Sequence, residues 1–144
     1  MNNADQAEAY FKGGYVCSQA LLATFSEQFD LDKRIALKLA DAFGAGIGGL
    51  GETCGAVTGA IMVLGLKYGR EAPDDDRAKE KTRELVKKFV AEFKSRHHAI
   101  ICKELLECDI STAKGMQSAE EKGVFESRCP NFVRDAAGII EKLL

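Results

Sequence analysis

The sequence has no C-x-x-C pair anywhere, although it carries five cysteines in 144 residues. That absence removes a thioredoxin-type motif and a paired zinc knuckle, and the lack of C-x-x-C-H removes covalent c-type haem. Histidine is almost missing, with only His97 and His98, and no Ser-His-Asp constellation stands out. Charge of one sign is not in excess: 20 Lys and Arg face 22 Asp and Glu, a net charge of -2. No general field therefore draws the chain to nucleic acid or to anionic lipid. Long hydrophobic runs are absent too. The longest uncharged stretches, Gly13 to Ser26 and Thr53 to Leu66, are 14 residues each, short of the ~20 that a bilayer-crossing helix needs. The opening MNNADQAEAYFKGGY lacks the basic-then-apolar layout of a signal peptide, so a cytoplasmic location is expected. An odd number of cysteines without such a signal also argues against an extracellular disulfide framework.

Strict apolar-polar alternation is missing as well, and helical periodicity takes its place. With 46% hydrophobic and 29% charged residues, the chain is expected to form one domain over residues 1–144. The expected architecture is all-α, a compact bundle of six or seven helices around a glycine-rich, buried central helix. A short helix around Ala4 to Phe11 stops at Gly13 and Gly14, and a second runs from about Val16 to Phe29. Asp32 then reads as an N-cap for a helix whose inner stripe is Ile35, Leu39, Ala42 and Phe43. Thr53 reads as the cap of the central helix CGAVTGAIMVLGLKYG, whose near lack of charge implies burial all round. Pro73 and Asp74 to Asp76 open the longest helix, which reaches about His97 with Leu85, Val86, Phe89, Val90 and Phe93 facing inward. Its alternating charges read as a solvated face. A short helix follows around Ile101 to Leu106, Ser118 caps a further turn, and Pro130 at the first helical position places Cys129 at the N-cap of the last helix.

Nine of the 14 glycines fall between Gly44 and Gly69. The run fits G-x-G-x-x-G by spacing at Gly44, Gly46 and Gly49, and again at Gly46, Gly48 and Gly51. The segment before it is helical rather than a strand, and no lysine follows to make a P-loop, so nucleotide binding is disfavoured. A structural use is preferred: Gly55 and Gly59, with Ala56 and Ala60, strip the central helix so that neighbours reach its backbone. The same bareness would let a metal, a sulfur or a second thiol approach Cys54, and main-chain N–H groups of the glycine run could face that sulfur.

Cys17, Cys54 and Cys129 each fall at or within the first turn of an expected helix, where free N–H groups and the helix dipole favour the thiolate. A single cysteine so placed would read as an ordinary core residue. Three together point to chemistry. Cys102 and Cys108, six apart, fit no common zinc spacing. His98 and Cys102 have an i to i+4 relation, but no second histidine pair supports a ligand site.

The order Cys17, then CGAVTG at 54–59, then Cys102 in CKELLECDIST, then Cys129, resembles the C_GCAxxG_C_C family, described as redox-active. One departure is that the family name writes glycine before cysteine, whereas Cys54 precedes Gly55 here. The resemblance implies that Cys17, Cys54, Cys102 and Cys129 are the functional four, as redox residues or metal ligands, with Gly55, Ala56 and Gly59 completing the motif beside any cofactor. Cys108 would be an auxiliary thiol. The family is in turn similar to the helical domain of split-Soret cytochromes, whose cysteines are associated with an iron-sulfur centre. The expected function is a redox protein whose four cysteines converge to hold an iron-sulfur cluster or to exchange dithiol for disulfide, with an unknown redox partner. Structural zinc on the same residues, or inert cysteines in a partner-binding or oligomerisation module, stay open, as does a symmetric homodimer.

Overall fold

The computed structural model describes residues 1–144 and contains no strand. Nine α-helices follow one another, seven of them nine residues or longer: α1 (Asn3–Lys12), α2 (Cys17–Ser26), α3 (Lys33–Asp41), α4 (Gly55–Tyr68), α5 (Asp76–His97), α6 (Cys102–Leu106), α7 (Ala113–Lys122), α8 (Val124–Ser127) and α9 (Cys129–Leu143). The all-α expectation holds. No helix is long and apolar enough to cross a membrane.

Local chemistry sets most boundaries. Asn2 caps α1 by accepting from Asp5 N–H, Asp32 caps α3 by accepting from Arg34 and Ile35, and Asp75 caps α5 by accepting from Ala78. Helix α5 ends at His98 in the left-handed conformation, so His98 and Cys102 lie on different elements and do not share a helical face. Three starts differ from the sequence reading. The cap of α4 is Cys54 rather than Thr53, because Thr53 is held extended in an isolated antiparallel bridge with Ile101. Helix α7 begins at Ala113, capped by Thr112 accepting from Gly115, well before Ser118. Helix α9 begins at Cys129 itself, after Arg128.

One hydrophobic cluster of 31 buried residues joins α2, α4, α5 and α9 through large side chains such as Leu21, Phe25, Leu64, Phe89, Phe93, Val133 and Ile140, while α1 and α7 each bury a single alanine in it. Helix α2 packs against α1, α3, α4 and α9, while α4 packs against α2, α5 and α9. Helix α3 contributes only Ala36 and Ala40 to the core; Ile35 and Leu39, expected inside, are 56% and 57% exposed. The cause is spatial: Ser18 Oγ donates to Ala40 O at 2.7 Å, which holds α3 against α2 by its small residues and turns the large ones outward. Helix α4 is buried through most of its length, but its last turn, with Leu66, opens to solvent, so it is not covered on every side.

Helices α2 and α4 approach each other closely. A Cβ added at Gly59 would lie 2.7 Å from Leu21 Cβ and 3.0 Å from Ser18 O, and one at Gly55 would lie 2.9 Å from Ser18 N and 3.1 Å from Cys17 Cβ. Gly65, on the same helix, has nothing within 4 Å of such an atom. Gly59→Ala is therefore expected to destabilise the fold by about 1–3 kcal/mol through overpacking. Gly65→Ala is expected to be neutral or stabilising by up to ~1 kcal/mol through helix propensity. Urea unfolding midpoints of the two variants check the contrast; equal losses would remove the close contact as the reason for Gly59.

Candidate functional site

The four cysteines singled out by sequence stand at the starts of four different helices: Cys54 is the N-cap of α4, and Cys17, Cys102 and Cys129 are the first residues of α2, α6 and α9. The bundle brings these starts to one place. Cys17 meets the beginning of α4 because Gly55 lets the two backbones touch. Cys102 is fixed next to Cys54 by the bridge: Cys54 N–H donates to Ile100 O at 2.7 Å, and Cys102 N–H donates to Glu52 O at 2.6 Å. Cys129 arrives on α9, whose preceding residue Arg128 is tied to the end of α6 by donating to Leu105 O at 3.0 Å.

All four cysteines line a single cavity of about 320 Å³. Its walls are otherwise apolar. Phe11, Tyr15, Phe125 and Phe132 supply rings, Val16, Leu105 and Leu106 supply aliphatic surface, and Ala45, Gly46 and Gly55 supply backbone. No Lys, Arg, His, Asp or Glu lines it. Its exposed lining residues are Gly14 and Tyr15, the latter 41% exposed. Of the other motif residues, Ala56 and Gly59 lie in the packing beneath the cavity rather than on its wall. Cys108 is buried among core residues and does not reach the cavity.

The glycine run acts differently from the sequence expectation. Its N–H groups at Gly48, Gly49, Gly51 and Glu52 donate to the carbonyls of Ala42, Gly44, Ala45 and Gly46, closing the loop on itself. Residues Ala45 to Gly49 all have positive φ, a left-handed turn that favours glycine. Gly46 is required for a second reason, since a Cβ there would lie 2.7 Å from Cys102 Cβ and 2.6 Å from Glu52 N. The loop is thus laid directly on the third cysteine.

All five cysteines are free thiols, and no two are joined. Nor is any group of three or more Cys, His, Asp or Glu side chains set out around a common point as a metal-ligand shell would be. The four sulfurs instead interact with one another, and Cys17, Cys54 and Cys102 are unlike in consequence. Cys54 is held below the ordinary thiol value, first because Cys17 donates a hydrogen bond to its sulfur. The N–H groups of Ala56 and Val57 at the start of α4 add to this against the opposing effect of burial, though they make no formal capping bond. Cys17 is pushed well above the ordinary value by its hydrogen bonds to Cys129 and to Cys54 and then by burial. Burial, with the charges of Cys54 and Cys129 behind it, pushes Cys102 up to about 12. Cys54, whose charged form is favoured, therefore faces a donor, Cys17, that holds its proton more tightly.

Sequence reasoning missed the aromatic wall. Phe132 stands three residues after Cys129, one helical turn on, and Tyr15 two residues before Cys17; nearness in sequence to a marked cysteine was the available signal. It also placed His97 on a solvated helix end. His97 is in fact mostly covered, 2.7 Å from Asp135 Oδ2 and packed edge-on against Phe132 behind the cavity wall.

A family model described as "Putative redox-active protein (C_GCAxxG_C_C)" matches residues 15–143. No curated protein and no solved structure matches the chain.

The electrostatics predict an order of reactivity. At neutral pH a small uncharged alkylating reagent is expected to modify Cys54 first and to leave Cys102 unmodified, read by peptide mass spectrometry. Cys17→Ala removes the donor that favours the Cys54 thiolate, so the pH profile of Cys54 labelling is expected to move to higher pH. A profile unchanged in Cys17→Ala would contradict this account.

Proposed function

Because the chain belongs to the C_GCAxxG_C_C family of redox-active proteins, we propose that it is a dithiol–disulfide redox protein in which Cys54 is the attacking thiolate and Cys17 the resolving thiol. The observation that carries this reading is the contact of a favoured thiolate with a protonated neighbour inside one cavity. The thiolate is the nucleophile in disulfide exchange.

Cys54 sulfur attacks one sulfur of a substrate disulfide, an S–S bond forms between them, and the substrate's other sulfur leaves as a thiolate. Cys17 then gives its proton to that leaving sulfur and attacks Cys54 sulfur. The Cys17–Cys54 bond forms, and the first substrate sulfur departs as a thiolate that solvent protonates. The substrate is reduced by two electrons and the protein dithiol is oxidised. Forming the mixed disulfide removes the negative charge from Cys54, which relieves one of the causes that keep Cys17 protonated. Cys129 and Cys102 line the same cavity as the reacting pair, and Gly55 leaves the space in which Cys17 reaches Cys54.

A second reading uses the same residues as ligands. Four cysteines on one cavity are the donor set of an iron-sulfur cluster, and thiolates also suit zinc. What favours the dithiol reading is that Cys17 is hydrogen-bonded to Cys54 and Cys129 and that no three of these side chains are set around one point.

The test separates the two. Protein purified without oxygen and oxidised by hydroxyethyl disulfide is expected to yield a Cys17–Cys54 disulfide by mass spectrometry. Cys54→Ser is expected to slow loss of the other pocket thiols by roughly two orders of magnitude, whereas Cys108→Ser should change little. Stoichiometric iron with acid-labile sulfide, or stoichiometric zinc, lost in Cys54→Ser would replace the dithiol reading by the ligand one.

A further inference from the structure

The wall of the cavity restricts what can react there. It holds no charged side chain, so a phosphate or carboxylate brought inside would be left unpaired. Nucleotide carriers and charged peptide thiols therefore fit it badly. No cationic side chain is at hand to assist an oxygen leaving from a peroxide. What the wall does offer is four aromatic rings, from Phe11, Tyr15, Phe125 and Phe132, and a volume of about 320 Å³. That volume suits a small flat ring.

Hydrogen-bond donors are also left over. The main-chain N–H groups of Ala45 and Gly46 make no bond to any carbonyl or side-chain acceptor of the protein, although both residues line the cavity and Gly46 is buried. Buried N–H groups are almost always paired. Both belong to the left-handed turn, in which Ile47, a β-branched residue, has φ 66°. Such conformations are costly and gather at ligand sites. An acceptor oxygen on a ligand would satisfy donors that the protein leaves free.

We infer that the cavity binds a neutral ring of the quinone class, with a carbonyl oxygen toward the Ala45–Gly46 backbone, and that the Cys17–Cys54 dithiol reduces it. This rests on the dithiol reading above. Cys54 sulfur adds to a ring carbon, and one quinone oxygen takes the electron pair as a phenolate. Cys17 gives that oxygen its proton and attacks Cys54 sulfur; the sulfur–carbon bond breaks and its electrons pass into the ring. Solvent supplies the second proton. The products are the hydroquinone and a Cys17–Cys54 disulfide, two electrons having moved from sulfur to ring.

The experiment mixes the reduced full-length chain, without oxygen, with duroquinone, whose fully methylated ring resists stable alkylation of thiols. The expected result is an equimolar yield of hydroquinone and Cys17–Cys54 disulfide at a rate that saturates with quinone. Phe125→Lys, and independently Phe11→Lys on another helix, should slow this reaction by about tenfold or more by placing a charge in the wall. Folding of both variants is read from their helical circular dichroism, and their rate with hydroxyethyl disulfide is expected to fall by less than their rate with duroquinone. If hydroxyethyl disulfide oxidises the pair but duroquinone is not reduced, or is reduced as fast by both lysine variants, the quinone assignment is overturned and the dithiol function survives. If neither oxidant produces a Cys17–Cys54 disulfide, both fall together.

Discussion

The contact on which the rest depends is the meeting of α2 and α4 across Gly55 and Gly59. No side chain stands between the two backbones there, and the first residue of one helix therefore lies beside the cap of the other. Everything else at the site is arranged around that pair. Ser18, next to Cys17, fastens α3 through Ala40, which leads the chain into the left-handed turn. The turn ends at the bridge between Thr53 and Ile101, and the bridge delivers Cys102. The last helix closes the fourth side.

Three chemically identical side chains acquire different characters from this arrangement. Cys54 receives a hydrogen bond and faces a helix start, so its charged form is favoured; Cys17 supplies that hydrogen bond and keeps its proton; Cys102 is set by desolvation. The distinction arises from placement alone, since no lysine, arginine or histidine lines the cavity. A thiolate stabilised by neutral donors keeps the cavity free of fixed positive charge. That is consistent with an apolar wall and separates this site from thiols activated by an adjacent cation.

Much of this was legible in the sequence, and the parts that were not share a physical reason. Helix positions follow from capping residues and glycine stops, as at Asp32 and Gly13, and these are local signals. Cys17, Cys54 and Cys129 could be marked because helix starts are local too, and the family resemblance added Cys102. What escaped were features decided between distant segments. Thr53 has the chemistry of a cap, but pairing with Ile101 outweighs it and moves the cap to Cys54. Ile35 and Leu39 have the spacing of an inner stripe, but the demand for close approach to α2 selects Ala36 and Ala40 instead. The glycine run reads as free backbone, whereas its N–H groups are mostly consumed within the loop. The aromatic wall, drawn from α1, α8, α9 and the segment before α2, has no contiguous signature at all.

The last helix has a meaning for how the molecule is made. Helix α9 carries Cys129 and Phe132 and packs against α1, α2, α4 and α5, and of the nine helices it is the last to leave the ribosome. Until it docks, the three earlier thiols have no fourth wall, and the apolar surface meant for α9 is open to solvent. A nascent chain therefore passes through a stage in which reactive sulfur is least shielded and collapse is least complete. An oxidant met at that stage would reach thiols that the finished fold buries.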